Sequence, residues 1–164
     1  MKYKTQEPEE NKSNGIVELI QFEYNRMCLL QSGILYAHMN GIETSKRFFS
    51  RAYDACRQCI QDLLEFLYVN SEEIPEFKVP EIQYFEKIEE PYEALSEAEE
   101  EYFEKANTLF AQAVEDKDVK MIVALYKIIK VPHIMCRAYE AIKNNQDPNT
   151  VCNNKTWNAN DVPW

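Results

Sequence analysis

FSRAYDACRQCIQDLLEF, residues 49–66, decides the fold. Phe49, Ala52, Cys56, Cys59, Leu63 and Phe66 recur in steps of three and four, which keeps them on one face of a helix. Three more segments carry such a stripe. One runs Ile16, Ile20, Glu23, Met27, Leu30, Ile34, Ala37. Another runs Tyr92, Leu95, Glu99, Tyr102, Ala106, Leu109, Ala113. The last runs Ile122, Leu125, Ile129, Pro132, Cys136, Tyr139. Four facing stripes predict an all-α four-helix bundle. They also predict that Glu23, Cys56, Cys59, Glu99 and Cys136 converge at its middle, where helical bundles build metal sites.

Composition agrees with helices. The chain has 164 residues, enough for one sizeable core, and 3 Gly against 45% hydrophobic residues disfavours a strand-and-turn protein. The net charge of -10 disfavours nucleic acid, whose phosphates attract a basic face. Residues 1–15 are polar and show no apolar leader, and no run approaches the length of a membrane span. The five cysteines are odd in number. A reduced, cytoplasmic chain is expected.

Boundaries follow from caps and breakers. Residues 1–13 read as a disordered polar arm and 14–144 as the bundle. Residues 145–164 read as a polar tail in which Trp157 and Trp164 can dock on a neighbouring surface. Asn40-Gly41 should stop the first helix and Thr44 should cap the second, which runs to about Asn70. Residues 71–90 hold Pro75 and Pro80 and lack a helical period, so they predict a long extended crossover that lets the second and third helices run parallel. Pro91 suits the first turn of the third helix, and Asp118 suits the cap of the fourth. Pro132 should kink the fourth helix, because it removes a backbone donor.

This pattern resembles a bacterial-type ferritin subunit. The likeness rests on Phe49-Ser50-Arg51 through Leu64 to Phe66-Leu67, on Ile74-Pro75-Glu76-Phe77 through Tyr84-Phe85, and on Ala113-Val114-Glu115-Asp116-Lys117-Asp118. It covers about residues 15–144. The resemblance implies a ferritin-like bundle, an iron-storing homo-oligomer that can close into a cage, and a di-iron oxidation centre. That centre takes a Glu from the first helix, Glu-x-x-His from the second, a Glu from the third and a Gln or Glu pair from the fourth. Glu23 matches the first position, and Glu99 or Glu100 the third. The Glu-x-x-His is absent: an ungapped register gives Arg57 and Ile60 there, and a one-residue shift gives Cys56 and Cys59. On the fourth helix the same two registers give Pro132 and Met135, or His133 and Cys136.

Two glutamates cannot hold two irons, and Arg57 would bring a cation to a cation site. Ferroxidase activity is therefore expected to be lost or very weak. The shifted register makes a thiolate-rich set, Cys56, Cys59, His133 and Cys136 with Glu23 and Glu99, which suits zinc or another soft metal. Each choice has a plainer counterpart. Buried cysteines are ordinary core residues, Glu23 can pair with Arg57, and Glu99 can belong to the solvated acidic face of Glu97, Glu100, Glu101 and Glu104. An apo protein is the corresponding outcome. On a shell, those acidic residues could bind ferric ions without oxidising them. A helical scaffold that binds no metal is the other functional reading.

Overall fold

The computed structural model describes residues 10–70, 73–130 and 133–152. Its helices are α1 (Glu10–Met39), α2 (Glu43–Asn70), α3 (Glu89–Glu115), α4 (Val119–Ile129) and α5 (Ile134–Lys143), followed by a short 3-10 helix (Pro148–Cys152). The protein is all-α, with no strand among the described residues. No described helix is long and apolar enough to cross a membrane. Residues 1–9 of the expected arm, and Trp157 and Trp164 of the expected tail, lie outside the described residues.

The apolar stripes set the packing. Ile16, Ile20 and Leu30 of α1, Phe49, Ala52, Cys56, Cys59 and Leu63 of α2, and Tyr92, Leu95, Tyr102 and Ala106 of α3 are all buried. Fully burying one aliphatic or aromatic side chain contributes roughly 1.5–3 kcal/mol, so these faces hold the helices together. Ring contacts and ion pairs give the helix directions. Phe49 packs on Tyr92 at 4.6 Å, and ten residues further along both helices Cys59 lies 3.5 Å from the Tyr102 hydroxyl, so α2 and α3 run parallel. Lys105 pairs with Glu18 while Arg26 lies over Tyr102, so α1 and α3 run antiparallel. Gly33 lets α1 approach α2 closely, since a Cβ there would sit 3.0 Å from the Phe49 ring.

The connection between α2 and α3 follows a polar stripe on α1. Gln21 accepts from the Lys78 amide at 2.9 Å and donates to the Lys78 carbonyl at 2.7 Å. Tyr24 stacks on Phe77 at 5.4 Å, the Cys28 thiol donates to the Pro80 carbonyl at 2.8 Å, and Ser32 accepts from the Gln83 amide at 2.9 Å. Tyr36 donates to the Glu86 carbonyl at 3.1 Å. These residues step by three and four along α1, so one helix face satisfies the backbone of an extended segment. At its far end Glu90 accepts from the Glu86 and Lys87 amides, which lowers its pKa.

Helix ends follow local chemistry, with three departures from expectation. Gly41 takes a left-handed backbone (φ 67°), and the Ile42 amide closes back on the Ala37 carbonyl at 2.8 Å. Asp118 caps α4 by accepting from the Met121 amide at 3.2 Å, as its position predicts. Thr44, expected as a cap, lies inside α2, and its carbonyl instead accepts from Asn149 at 2.9 Å, docking the turn Pro148–Cys152. The helix expected from 14 already begins at Glu10. The single kinked fourth helix is two helices, α4 and α5, on either side of a break. Pro132 itself lies outside the described residues. The buried positions keep one seven-residue spacing on both sides of the break, at Met121, Ile128 and Met135 with Leu125 and Ala138 beside them, so the expected stripe lay one residue off: Ile122, Ile129, Cys136 and Tyr139 are half-buried.

Two outcomes are expected. Lys117 ends α3 with φ 57°, a conformation that costs a side-chain residue roughly 1–2 kcal/mol and glycine almost nothing. Lys117→Gly should therefore raise the unfolding free energy by about 0.5–1 kcal/mol in urea titrations, after glycine's greater unfolded-state entropy is subtracted. Gln21→Ala should accelerate hydrogen exchange at the Lys78 amide by about fivefold, since the lost hydrogen bonds are worth roughly 1 kcal/mol.

Candidate metal centre

The helix stripes bring Glu23, Cys56 and Cys59 together, but around a cation supplied by the protein. Arg26, one turn beyond Glu23 on α1, is buried with it, and its Nη1 lies 3.1 Å from Glu23 Oε1. The other carboxylate oxygen accepts from the Cys56 thiol at 2.7 Å, and the same thiol lies 3.2 Å from the Glu23 carbonyl. The guanidinium carbon stands 5.1 Å from the centre of the Tyr102 ring. Such a cation–π contact is worth up to about 2 kcal/mol when desolvated.

Electrostatics keep the thiols neutral. Burial pushes the Cys56 and Cys59 thiols well above the ordinary range, and the negative charge of Glu23 adds to it. A thiol must lose its proton to bind metal, so burial and the charge of Glu23 both oppose ligation by these two. Arg26 keeps its proton: burial opposes the charge, but Glu23 with its neighbours outweighs that. The interior is thus an ion pair with hydrogen-bonded thiols, not an open cation site.

Glu99, His133 and Cys136 form a second cluster where α5 begins. His133 offers no side-chain cap to that helix. Glu99, reaching from α3, accepts from the Met135 amide at 3.1 Å and the Cys136 amide at 3.3 Å. A carboxylate at a helix N-terminus satisfies unpaired donors and meets the positive end of the dipole. Burial raises the pKa of Glu99, while Arg26 and the two amides act in the opposite direction. His133 Nδ1 is 3.9 Å from Glu99 Oε1, and its ring lies 4.7 Å from that of Phe103. Cys136 is half-buried, accepts from Ser96 Oγ at 3.2 Å, and has its sulfur 3.8 Å from Glu100 Oε1. The donor atoms of Glu99, His133 and Cys136 all lie within 4.8 Å of one another, so the cluster could hold a metal ion.

The expected site therefore divides in two. Cys136 does not join Cys56 and Cys59: Met135 takes the buried position one residue before it, and Cys136 lies half-buried beside Ser96 and Glu99 of α3. Arg57 is exposed and is not the partner of Glu23: one residue past Cys56 it lies about 100° around the helix, facing solvent. Glu99 is buried, not part of the solvated face, whereas Glu97, Glu100, Glu101 and Glu104 are exposed. Arg26 escaped the sequence reading because the expected stripe passes from Glu23 to Leu30 through Met27, although Arg26 is the buried one. Its three-residue spacing from Glu23 was the available signal.

Comparison with protein-family models, with curated proteins and with solved structures finds no match for the chain.

Removing one member of a buried pair leaves the other uncompensated. Arg26→Met should cost about 3–5 kcal/mol of unfolding free energy, and Glu23→Leu a similar amount. The double variant should cost less than either single, as measured by urea denaturation, because both buried charges then go together.

Proposed function

We propose that this chain is a ferritin-like four-helix subunit that contributes shell and acidic surface to iron storage without oxidising iron. One observation carries the reading: the glutamate that matches the ferritin first-helix ligand, Glu23, is fully buried on the core face, yet its cation is Arg26. A guanidinium at that point repels ferrous ions, and no Glu-x-x-His stands on α2 to bridge a pair of irons. The parallel run of α2 and α3, with residues 73–88 along α1, supports a ferritin-like crossover. Glu97, Glu100, Glu101 and Glu104 supply an exposed carboxylate face on α3 for ferric ions. In this reading the chain is cytoplasmic, and copies of it assemble into a shell or cage.

A second reading, a helical scaffold free of metal, draws on the seam between α2 and α4. A groove of about 570 Å³ opens there, lined by Leu63, Phe66, Val119, Val123 and Ile128. An open apolar seam suits an interaction protein as well as a shell subunit.

Native mass measurement together with ferrous salt in air tests both readings. A storage subunit should run as a large oligomer and retain iron, while oxidising it no faster than buffer does. Catalysed oxidation would overturn the loss of the oxidation centre. A monomer that retains no iron would overturn storage and leave the scaffold.

A further inference from the structure

We infer that Glu99, His133 and Cys136 form a single-ion site for a zinc-class divalent cation on the seam between α3 and α5, separate from the Glu23–Arg26 pair. The inference does not depend on the ferritin-like reading. One carboxylate, one imidazole and one thiolate are the donor types that borderline metals take, usually in tetrahedral geometry. Bonds of roughly 2.0–2.3 Å imply donor separations of about 3.3–3.8 Å around such an ion. The three donor atoms lie within 4.8 Å, and the Glu99–His133 separation is already 3.9 Å. His133, whose side chain is 58% exposed, has room to move toward the other two donors.

The neighbours hold the donors in place, as residues around metal ligands do. The Met135 and Cys136 amides fix the Glu99 carboxylate and leave each oxygen a free lone pair. Phe103 backs the imidazole, and Ser96 steadies the sulfur. Glu100, 3.8 Å from that sulfur, or a water completes four-coordination. The open side at His133 gives the ion a path from solvent. On binding, Cys136 releases its thiol proton to solvent and the metal–sulfur bond replaces it.

The donor set also argues against a di-iron centre. It supplies one carboxylate where two irons need several that bridge, and the second buried carboxylate, Glu23, is engaged by Arg26 and Cys56. An ion here would clasp the first turn of α5 to α3, next to the break in the chain, and so would stabilise the fold by mass action.

The test is titration of the full-length chain with cobalt(II) chloride, followed by its thiolate-to-cobalt absorption band, and then by addition of zinc chloride. The band should saturate at about one equivalent and disappear as zinc displaces cobalt. It should be absent in Cys136→Ser and require at least about tenfold more cobalt in His133→Ala. It should persist in a Cys56→Ser/Cys59→Ser variant. His133 is exposed, so its variant decides the matter if Cys136→Ser fails to fold by circular dichroism. No band, a band that survives Cys136→Ser, or a band lost with Cys56 and Cys59 while the fold persists would overturn the site. A monomer that still gives the band would sink the storage shell and leave this site standing.

Discussion

In the interior of this protein the Arg26 guanidinium meets the Glu23 carboxylate at 3.1 Å, and neither can be reached by water. An isolated charge in that position would cost many kcal/mol, so each makes the other tolerable. The surroundings are arranged to keep the pair whole. Cys56 donates to the second carboxylate oxygen, and Tyr102 lays its ring beneath the guanidinium. α1 supplies both charges, α2 a hydrogen bond and α3 an aromatic face, so the pair ties three helices to one register. A buried pair of this kind contributes little net stability compared with an apolar core, but a shift in register would strand a charge.

The same pair decides the chemistry of the interior. Burial, with the negative charge of Glu23 adding to it, pushes the Cys56 and Cys59 thiols well above their ordinary range. A cation from solvent would have to displace Arg26 and remove a thiol proton in a site closed to bulk solvent. The other buried carboxylate is treated differently. Glu99 is held by two helix-terminal amides at the edge of the fold, beside an exposed imidazole and a half-buried thiol. There an ion can enter, and the leaving proton can reach solvent.

Much of the architecture was legible in the sequence because it depends on local periodicity. The stripes on α1, α2 and α3 predicted their buried faces, and Gly41 and Asp118 marked the helix ends where they stand. The polar stripe Gln21, Tyr24, Cys28, Ser32 and Tyr36 was equally periodic, but it was not read as a docking face for residues 77–86. Periodicity shows that residues share a face and does not say what meets that face. The last stripe failed for a related reason. It puts Ile122, Ile129 and Cys136 on the core face, but Met121, Ile128 and Met135 occupy it, one residue earlier each time, so Cys136 stands apart from Cys56 and Cys59.

By itself the sequence determined the helical class, the long connection and the presence of carboxylates and cysteines within apolar stripes. These follow from three- and four-residue spacing and from proline chemistry, which act over a few residues. Only the tertiary structure decided that Arg26 rather than Arg57 neutralises Glu23. It also decided that Glu99 caps α5, and that His133 and Cys136 gather around it and not around the other thiols. Those outcomes depend on how far each helix turns about its axis when it packs. A rotation of about 100°, one residue's worth, exchanges a buried neighbour for a solvated one.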